Sequence, residues 1–219
     1  MKMAGSIVIV DYGMGNLRSV AKAVESVGGN ALISDRPSAI ASAQQLILPG
    51  VGAFKAGMEG LVQRGLIEPL RARLTDGTPV LGICLGMQIL FQQGEEGGLC
   101  NGLGVIRGTV KHFPINNGAG RLKIPHMGWN QITTTGNEGQ RAGDDCPLLR
   151  GIPDGAFMYF VHSYYPEPLD PSIVAARTSY GIEFASMIWQ ESVYATQFHP
   201  EKSQRTGLQL LKNFVELTC

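Results

Sequence analysis

The first half of the sequence alternates short apolar runs with segments of helical periodicity, and this alternation restricts the possible folds most strongly. The apolar runs predict buried strands, and the periodic segments predict amphipathic helices. The expected strands are Ser6–Val10, Ala31–Ser34, Gln45–Leu48 and Pro79–Ile83. The expected helices are Asn16–Val27 with Asn16 as its N-cap, Ala56–Arg64, Glu68–Leu74 and Leu85–Gln93. Strands that are apolar on both faces and alternate with helices indicate a mostly parallel sheet covered by helices on both sides.

The second half is richer in strand-like segments, which Gly, Pro and Asn residues join. The expected strands are Leu103–Phe113, Ile124–Thr133, Ala156–His162, Ile173–Arg177, Ala185–Gln190 and Val193–Phe198. Ser203 is expected to cap a last helix over Arg205–Leu217, and Asn116–Gly120 and Thr134–Gly143 are predicted polar loops. No low-complexity linker separates the halves. We therefore expect an α/β fold with an added β-rich region, in a single domain that spans residues 1–219.

Charge and cysteine content narrow the classes of function. The 18 basic residues balance 18 acidic ones, so no net field attracts nucleic acid or a membrane surface. The four cysteines form no CxxC pair, and we find neither a secretory signal nor an apolar run long enough to span a membrane. We expect a reduced, cytoplasmic protein with free thiols.

A candidate nucleophile lies between the fourth predicted strand and the helix that follows it. Gly82–Gly86 (GICLG) has the pattern of a nucleophile elbow, with Cys84 in place of the usual serine. The flanking glycines remove side chains that would collide in such a turn, and the helix N-terminus favours a thiolate. Without a catalytic role, Cys84 would be a small buried residue at a strand end.

A candidate base and its orienting carboxylate lie near the C-terminus. His199 ends an apolar run, and Pro200 favours an extended backbone at His199. On extended chain the side chains of His199 and Glu201 point to the same side, so Glu201 can hold one imidazole nitrogen while the other faces the thiol. Of the other histidines, His162 is a candidate to line the pocket, while His112 and His126 are expected to make ordinary hydrogen bonds. No metal-ligand spacing is present, and we predict no metal site.

Further residues suit an amide substrate and the oxyanion that forms from it. The backbone N–H of Leu85 follows the nucleophile, and the glycine-rich turn after the third strand offers a second N–H from Val51 or Gly52. Gln88 lies one helical turn after Cys84, and Glu96 follows in a loop. A carboxylate and an amide near a nucleophile suit the α-ammonium and α-carboxylate of an amino acid.

Three motifs together resemble those of the class I (triad) glutamine amidotransferases. They are Pro49–Gly52 (PGVG), Gly82–Gln88 (GICLGMQ) and Gln197–Ser203 (QFHPEKS). Three more resemble those of the glutaminase subunits of imidazole glycerol phosphate synthases. They are Asp11–Asn16 (DYGMGN), Pro125–Asn130 (PHMGWN) and Tyr159–Tyr165 (YFVHSYY).

The resemblance implies a flavodoxin-like core and hydrolysis of L-glutamine to L-glutamate and ammonia without a cofactor. It implies a (β/α)8 cyclase subunit as partner, which uses the ammonia to make imidazole glycerol phosphate in histidine biosynthesis. It gives the triad roles to Cys84, His199 and Glu201. It gives the glutamine contacts to residues of several segments: Gly52, Gln88, Glu96, Ser163 and Tyr164. It also implies that the PGVG turn changes its amide orientation when the partner binds substrate.

Three other functions remain open at this stage. A related glutaminase could feed another synthase, for example one of surface-polysaccharide amination. A non-catalytic homologue is disfavoured by the intact Cys84, His199 and Glu201. A cysteine peptidase would need an extended peptide groove, and an assay of glutamine against a short peptide separates it from a glutaminase.

Overall fold

The computed structural model describes residues 6–115, 121–134 and 146–217. Its strands are β1 (Ser6–Val10), β2 (Asn30–Ser34), β3 (Gln45–Gly50), β4 (Val80–Cys84), β5 (Phe91–Gly94), β6 (Cys100–Asn101), β7 (Ile106–His112), β8 (His126–Gln131), β9 (Phe157–His162), β10 (Tyr164–Pro168), β11 (Val174–Tyr180), β12 (Ile182–Gln190) and β13 (Val193–Thr196). Its α-helices are α1 (Leu17–Ser26), α2 (Pro37–Ala41), α3 (Phe54–Gln63), α4 (Ile67–Thr75), α5 (Leu85–Ile89) and α6 (Gln204–Val215). Short 3₁₀ turns lie at Pro147–Leu149, Pro171–Ile173 and Pro200–Lys202.

A seven-stranded sheet in the order β11-β12-β13-β4-β3-β1-β2 forms the centre of the fold. The five strands from β13 to β2 pair in parallel, and β12 and β11 add antiparallel strands at one edge. The carboxyl ends of β4 and β13 are neighbours, so the residues that follow these two strands are brought together. Ligands of open α/β sheets bind outside this edge.

Alternate residues of β1 face opposite sides of the sheet, and each side has its own core. Ile7 and Ile9 pack in a cluster with residues of α1 and α6, whereas Val8 and Val10 pack in a cluster with residues of α3 and α4. Because both faces of the strand are buried, its sequence is continuously apolar. The prediction of a mostly parallel sheet with helices on both faces is confirmed.

The added β-rich region is also confirmed. It consists of a four-stranded sheet, in the order β10-β7-β5-β6, and an antiparallel ribbon of β8 and β9. One face of the ribbon is buried through His126 and His162, and the opposite face leaves Met127 and Trp129 exposed. This ribbon brings Val161 and His162 beside the end of β4.

The predicted helix Leu85–Gln93 is wrong in its second half, where α5 ends at Ile89 and β5 begins at Phe91. The carbonyl oxygens of Ile89 and Leu90 accept hydrogen bonds from Leu103, Val105 and Ile106 instead of continuing a helical ladder. These long-range bonds override the local periodicity.

Besides β5, three elements were not predicted: α2, the two-residue strand β6 and β10. The helix α2 has only five residues and begins at a proline. The strand β10 contains Pro166 and Pro168, which its position at the sheet edge beside β7 allows. The predicted loop Asn116–Gly120, and Thr134–Gly143 after its first residue, lie outside the described residues.

In the part of the chain that the structure describes, no helix combines the length and the apolar character that crossing a bilayer requires.

Candidate active site

Cys84 lies at the turn between β4 and α5, in a strained backbone conformation. Its φ angle is 54°, which is in the left-handed region that non-glycine residues rarely adopt. Such strain is typical of nucleophile elbows and other functional turns. The residue is only 5% exposed and stands at the N-cap position of α5, where the first N–H groups of a helix lack intrahelical partners.

The glycines of the motif are required by close packing. A Cβ at residue 86 would overlap the carbonyl oxygen of Leu48 in β3. A Cβ at residue 82 would lie 3.0 Å from the backbone of Gly86, closer than real contacts allow without displacement. The elbow therefore depends on both small residues, as the sequence predicted.

His199 follows β13 and is held by its own backbone as well as by its side chain. Its N–H donates to the carbonyl oxygen of Tyr159 at 2.9 Å. Its Nδ1 lies 2.8 Å from Oε1 of Glu201, and both side chains are almost fully buried. The backbone at His199 is extended as expected, but the next residues form a 3₁₀ turn and not extended chain. The turn still brings Glu201 beneath the imidazole.

The electrostatics around His199 favour its charged form. Burial lowers the pKa of this imidazole, but the neighbouring Cys84 and Glu201 more than offset this effect and raise the pKa to about 10. His199 Nε2 and the second carboxylate oxygen of Glu201 are buried without a geometrically good hydrogen bond to the described residues. Nε2 is therefore free to exchange a proton with a group in the site.

The remaining predicted site residues surround one cavity of about 550 Å³ that opens over Cys84. They are Val51, Gly52, Leu85, Gln88, Glu96, Ser163 and Tyr164. A second cavity, of about 540 Å³ beside His112 and Arg121, contains none of them. The sequence thus predicted a set of residues that surround one cavity, from four separate parts of the chain.

The glycine-rich turn after β3 runs beside the nucleophile. Gly50 pairs with Cys84 in the register of β3 and β4, so the next peptides lie at the mouth of the cavity. Gly52 has a φ of 116°, and a Cβ there would lie 2.5 Å from the Met14 side chain. This position requires glycine for both conformation and space.

Two side chains of the cavity are fixed by hydrogen bonds. Oε2 of Glu96 accepts a bond of 2.6 Å from the N–H of Phe54, at the start of α3, where the helix dipole favours an acid. The Gln88 amide nitrogen donates to the carbonyl oxygen of Tyr164 and to Oε1 of Gln197. Both side chains are therefore positioned in advance, and Glu96 is not a freely solvated loop residue.

Sequence reasoning missed several residues beside Cys84. Gln197 donates from Nε2 to Sγ at 3.6 Å, and Sγ lies 3.9 Å from the carbonyl oxygen of Val161. Lys202 also lines the cavity. A polar residue within the apolar run before His199 was the available signal for Gln197.

Ser203 is the N-cap residue of α6 as predicted, but its side chain makes no hydrogen bond to the helix. Its hydroxyl donates to the carbonyl oxygen of His199 at 2.6 Å and accepts the N–H of Tyr159 at 2.9 Å. The side chain therefore joins β9 to the segment that carries His199.

The other histidines form no group with metal-ligand character. His126 and His162 are a buried hydrogen-bonded pair, and His162 lines the cavity as predicted. Within residues 6–115, 121–134 and 146–217, no three His, Cys, Asp or Glu side chains lie close enough to hold a metal ion.

Comparison with known proteins agrees with this geometry. The family model for glutamine amidotransferase class-I matches residues 8–217. The imidazole glycerol phosphate synthase subunit HisH of Syntrophotalea carbinolica is 49% identical over 213 residues, which cover 96% of this chain and 100% of the relative. The subunit of the same name from Geobacter sulfurreducens is 48% identical and covers 96% and 98%.

The fold is also found among solved structures. The structure of PurLQS from Thermotoga maritima superposes with a TM-score of 0.68 over 97% of this chain and 98% of that chain, at 19% identity. Such a distant likeness supports the fold alone, whereas the family match and the close relatives extend over almost the whole sequence. The chain therefore belongs to the class-I glutamine amidotransferases and, within them, to the HisH family of imidazole glycerol phosphate synthase subunits.

Proposed function

We propose that this protein is the glutaminase subunit of an imidazole glycerol phosphate synthase, with Cys84, His199 and Glu201 as its catalytic triad. It hydrolyses L-glutamine to L-glutamate and ammonia, and the ammonia passes to a (β/α)8 cyclase subunit in histidine biosynthesis. The observation that carries the proposal is the hydrogen-bonded His199–Glu201 pair, 2.8 Å long and buried beside a strained cysteine elbow.

The first half of the reaction forms a thioester. The Cys84 thiolate attacks the carboxamide carbon of glutamine, and the carbonyl electrons move onto the oxygen. N–H groups of Leu85 and of Val51 or Gly52 stabilise that oxyanion. The tetrahedral intermediate collapses when its C–N bond breaks, and the His199 imidazolium gives its proton to the departing nitrogen, which leaves as ammonia.

The second half releases glutamate. His199 takes a proton from water, and the resulting hydroxide attacks the thioester carbon. The carbon–sulfur bond breaks, and the sulfur leaves as the thiolate. Glu201 holds the imidazole orientation and stabilises its positive charge in both halves.

The cavity suits the amino-acid end of glutamine. The Glu96 carboxylate is positioned to attract the α-ammonium, and Gln88 lines the same cavity. Gly52, Ser163 and Tyr164 complete the wall around the substrate.

An exposed apolar face beside the site is suited to a partner subunit. Met127, Trp129 and Phe157 are 61%, 45% and 55% exposed and lie on the same outer face of the β8–β9 ribbon. Exposed apolar patches of this kind mark interaction sites. Val161, on the same face, also lines the cavity, so a subunit docked here would lie next to the point where ammonia is released.

Glutamate release from L-glutamine by the purified protein, with and without a cyclase subunit, tests the proposal. Asparagine and a short glutamine-containing peptide serve as controls. The proposal predicts hydrolysis of free glutamine that the cyclase stimulates. Hydrolysis of the peptide in preference to glutamine would contradict it.

A further inference from the structure

A network of hydrogen-bonded polar groups, which begins at the partly exposed Asn130 and continues through buried side chains, connects the β8–β9 ribbon to the nucleophile. Asn130 Nδ2 lies 3.2 Å from His126 Nε2, and His126 Nδ1 lies 3.0 Å from His162 Nε2. His162 Nδ1 lies 2.8 Å from the carbonyl oxygen of Tyr164. Gln88 donates to the same oxygen at 3.0 Å, and so continues the chain into the active site.

The direction of each hydrogen bond follows from simple chemistry. A carbonyl oxygen can only accept, so Nδ1 of His162 carries a proton. Burial lowers the pKa of His162 to about 3, so the ring is neutral and its Nε2 is an acceptor. His126 must then donate from Nδ1, and burial lowers its pKa to about 4. Its Nε2 is therefore an acceptor for the Asn130 amide.

At the active-site end of this hydrogen-bond network, Gln88 fixes the orientation of the Gln197 amide. Gln88 donates to Gln197 Oε1 at 3.1 Å, which leaves Nε2 of Gln197 to point at Cys84 Sγ at 3.6 Å. Gln197 is fully buried, and its backbone N–H is bonded to Ser186 at 2.9 Å. If the amide rotated by half a turn, its oxygen would face the sulfur, and its nitrogen would face the donating nitrogen of Gln88.

We propose that Gln197 is a positioning residue that holds Cys84 Sγ and favours its thiolate. The Tyr164 carbonyl oxygen sets the required amide orientation through Gln88, and the His126–His162 pair holds that carbonyl in place. A hydrogen bond to the charged form of a group stabilises that form. Because the donor is a neutral amide, it stabilises the thiolate without replacing His199 as the proton carrier. The inference rests on the proposed role of Cys84 as nucleophile.

Alkylation of the full-length protein by iodoacetamide, followed by peptide mapping from pH 6 to 9, tests the proposal. In the wild type, Cys84 should react faster than Cys100 and Cys146. Cys146 is a useful reference because burial raises its pKa to about 11. Failure of this first comparison would refute the nucleophile itself, separately from Gln197.

Two variants then test the amide donor. Gln197→Met removes it, and Gln197→Glu keeps an acceptor for Gln88 but places an oxygen against the sulfur. Both should slow alkylation of Cys84 at pH 7 by about tenfold, with the difference disappearing at high pH. Gln131→Met is the control, because the side chain of Gln131 donates to the carbonyl oxygen of Gly155 and takes no part in this hydrogen-bond network. It should leave the pH profile of Cys84 alkylation unchanged. Wild-type profiles in both Gln197 variants would overturn the proposal.

The role of the histidine pair, which is the part of the network farthest from Cys84, is tested with His126→Phe. This variant keeps an aromatic ring stacked on Phe160 and Tyr180. We expect the same change in the pH profile but smaller, roughly threefold at pH 7. Thermal unfolding of each variant is measured in parallel, since a purely structural effect would lower the melting temperature without moving the alkylation profile. An unmoved profile, whether or not the melting temperature shifts, would overturn the role of the histidine pair.

Discussion

The hydroxyl of Tyr12 lies so close to Gly50 that a Cβ at residue 50 would overlap it. Tyr12 is buried, and its hydroxyl has no hydrogen-bond partner among the described residues. Burial raises the pKa of this phenol far above its ordinary value, so it stays neutral. The side chain of Tyr12 therefore packs against the turn between β3 and α3. This turn carries the N–H groups of Val51 and Gly52 that are proposed to bind the oxyanion.

We expect Gly50→Ala to destabilise the protein by about 1–3 kcal/mol, because overpacking forces buried atoms to shift. The rate of glutamine turnover should also fall in the protein that remains folded, since the displaced turn carries an oxyanion donor. Gly57→Ala is the matched control: its Cβ would meet Leu85 at 3.2 Å and Tyr12 at 3.5 Å, and alanine favours the helix. Urea unfolding and glutamate release measure the two effects. Equal behaviour of the two variants would contradict the packing argument.

The isolated subunit should be a poor glutaminase that its loaded partner activates. Glycines at 50 and 52 allow a peptide rotation that presents either an N–H or a carbonyl oxygen to the oxyanion. One missing oxyanion donor costs roughly 10²–10³ in turnover, so we expect activation of at least about 10²-fold. Glutamate release is compared for the subunit alone, with the cyclase, and with the cyclase plus an acceptor analogue. If the subunit alone releases glutamate as fast as the loaded complex, rotation of this peptide does not control the activity.

Glu201→Gln should reduce glutamine turnover less than His199→Ala. The amide can still hold Nδ1 of His199, now 2.8 Å from Glu201, but it cannot stabilise the imidazolium. Loss of the imidazole removes the proton carrier, and general acid–base catalysis typically increases the reaction rate by about 10²–10⁴-fold. Steady-state kinetics of both variants in the activated complex give the comparison. A Glu201→Gln enzyme slower than His199→Ala would contradict the supporting role assigned to Glu201.

The free energy of unfolding should decrease as the pH falls from about 6.5 to about 4. Burial lowers the pKa of His126 to about 4 and of His162 to about 3 in the folded state. The unfolded state therefore binds more protons in this window, and each proton contributes about 1.4 kcal/mol per pH unit. His126→Phe should remove about half of this contribution, whereas His112→Phe, at an exposed site, provides the control. Urea titrations across the window would contradict the assignment if both variants kept the wild-type slope.

The sequence carried more information about the site than about the boundaries of the elements. Cys84 and its flanking glycines were recognisable because a nucleophile elbow needs small residues at fixed spacing. Helix α5 was predicted too long because the strand bonds that end it come from residues 103–106, which local periodicity does not report. The side-chain contacts of Ser203 were missed for the same reason, since its partners lie on β9 and at His199.

The contacts of Gln197 were beyond sequence reasoning because they depend on three separate segments meeting at Cys84. The triad roles, the glutamine contacts, the single-domain organisation and the cytoplasmic location remain predictions. The fold class and the family are confirmed.

The most direct test of the triad assignment compares two nitrogen sources in a reconstituted complex with Cys84→Ala. Product formation is measured with L-glutamine and with an ammonium salt, and Cys146→Ala serves as the control for loss of a buried thiol. The account predicts that Cys84→Ala abolishes synthesis from glutamine and preserves synthesis from ammonium, because the acceptor reaction on the partner needs only ammonia. Equal loss with both nitrogen sources would contradict it, and would mean that Cys84 supports assembly and not catalysis.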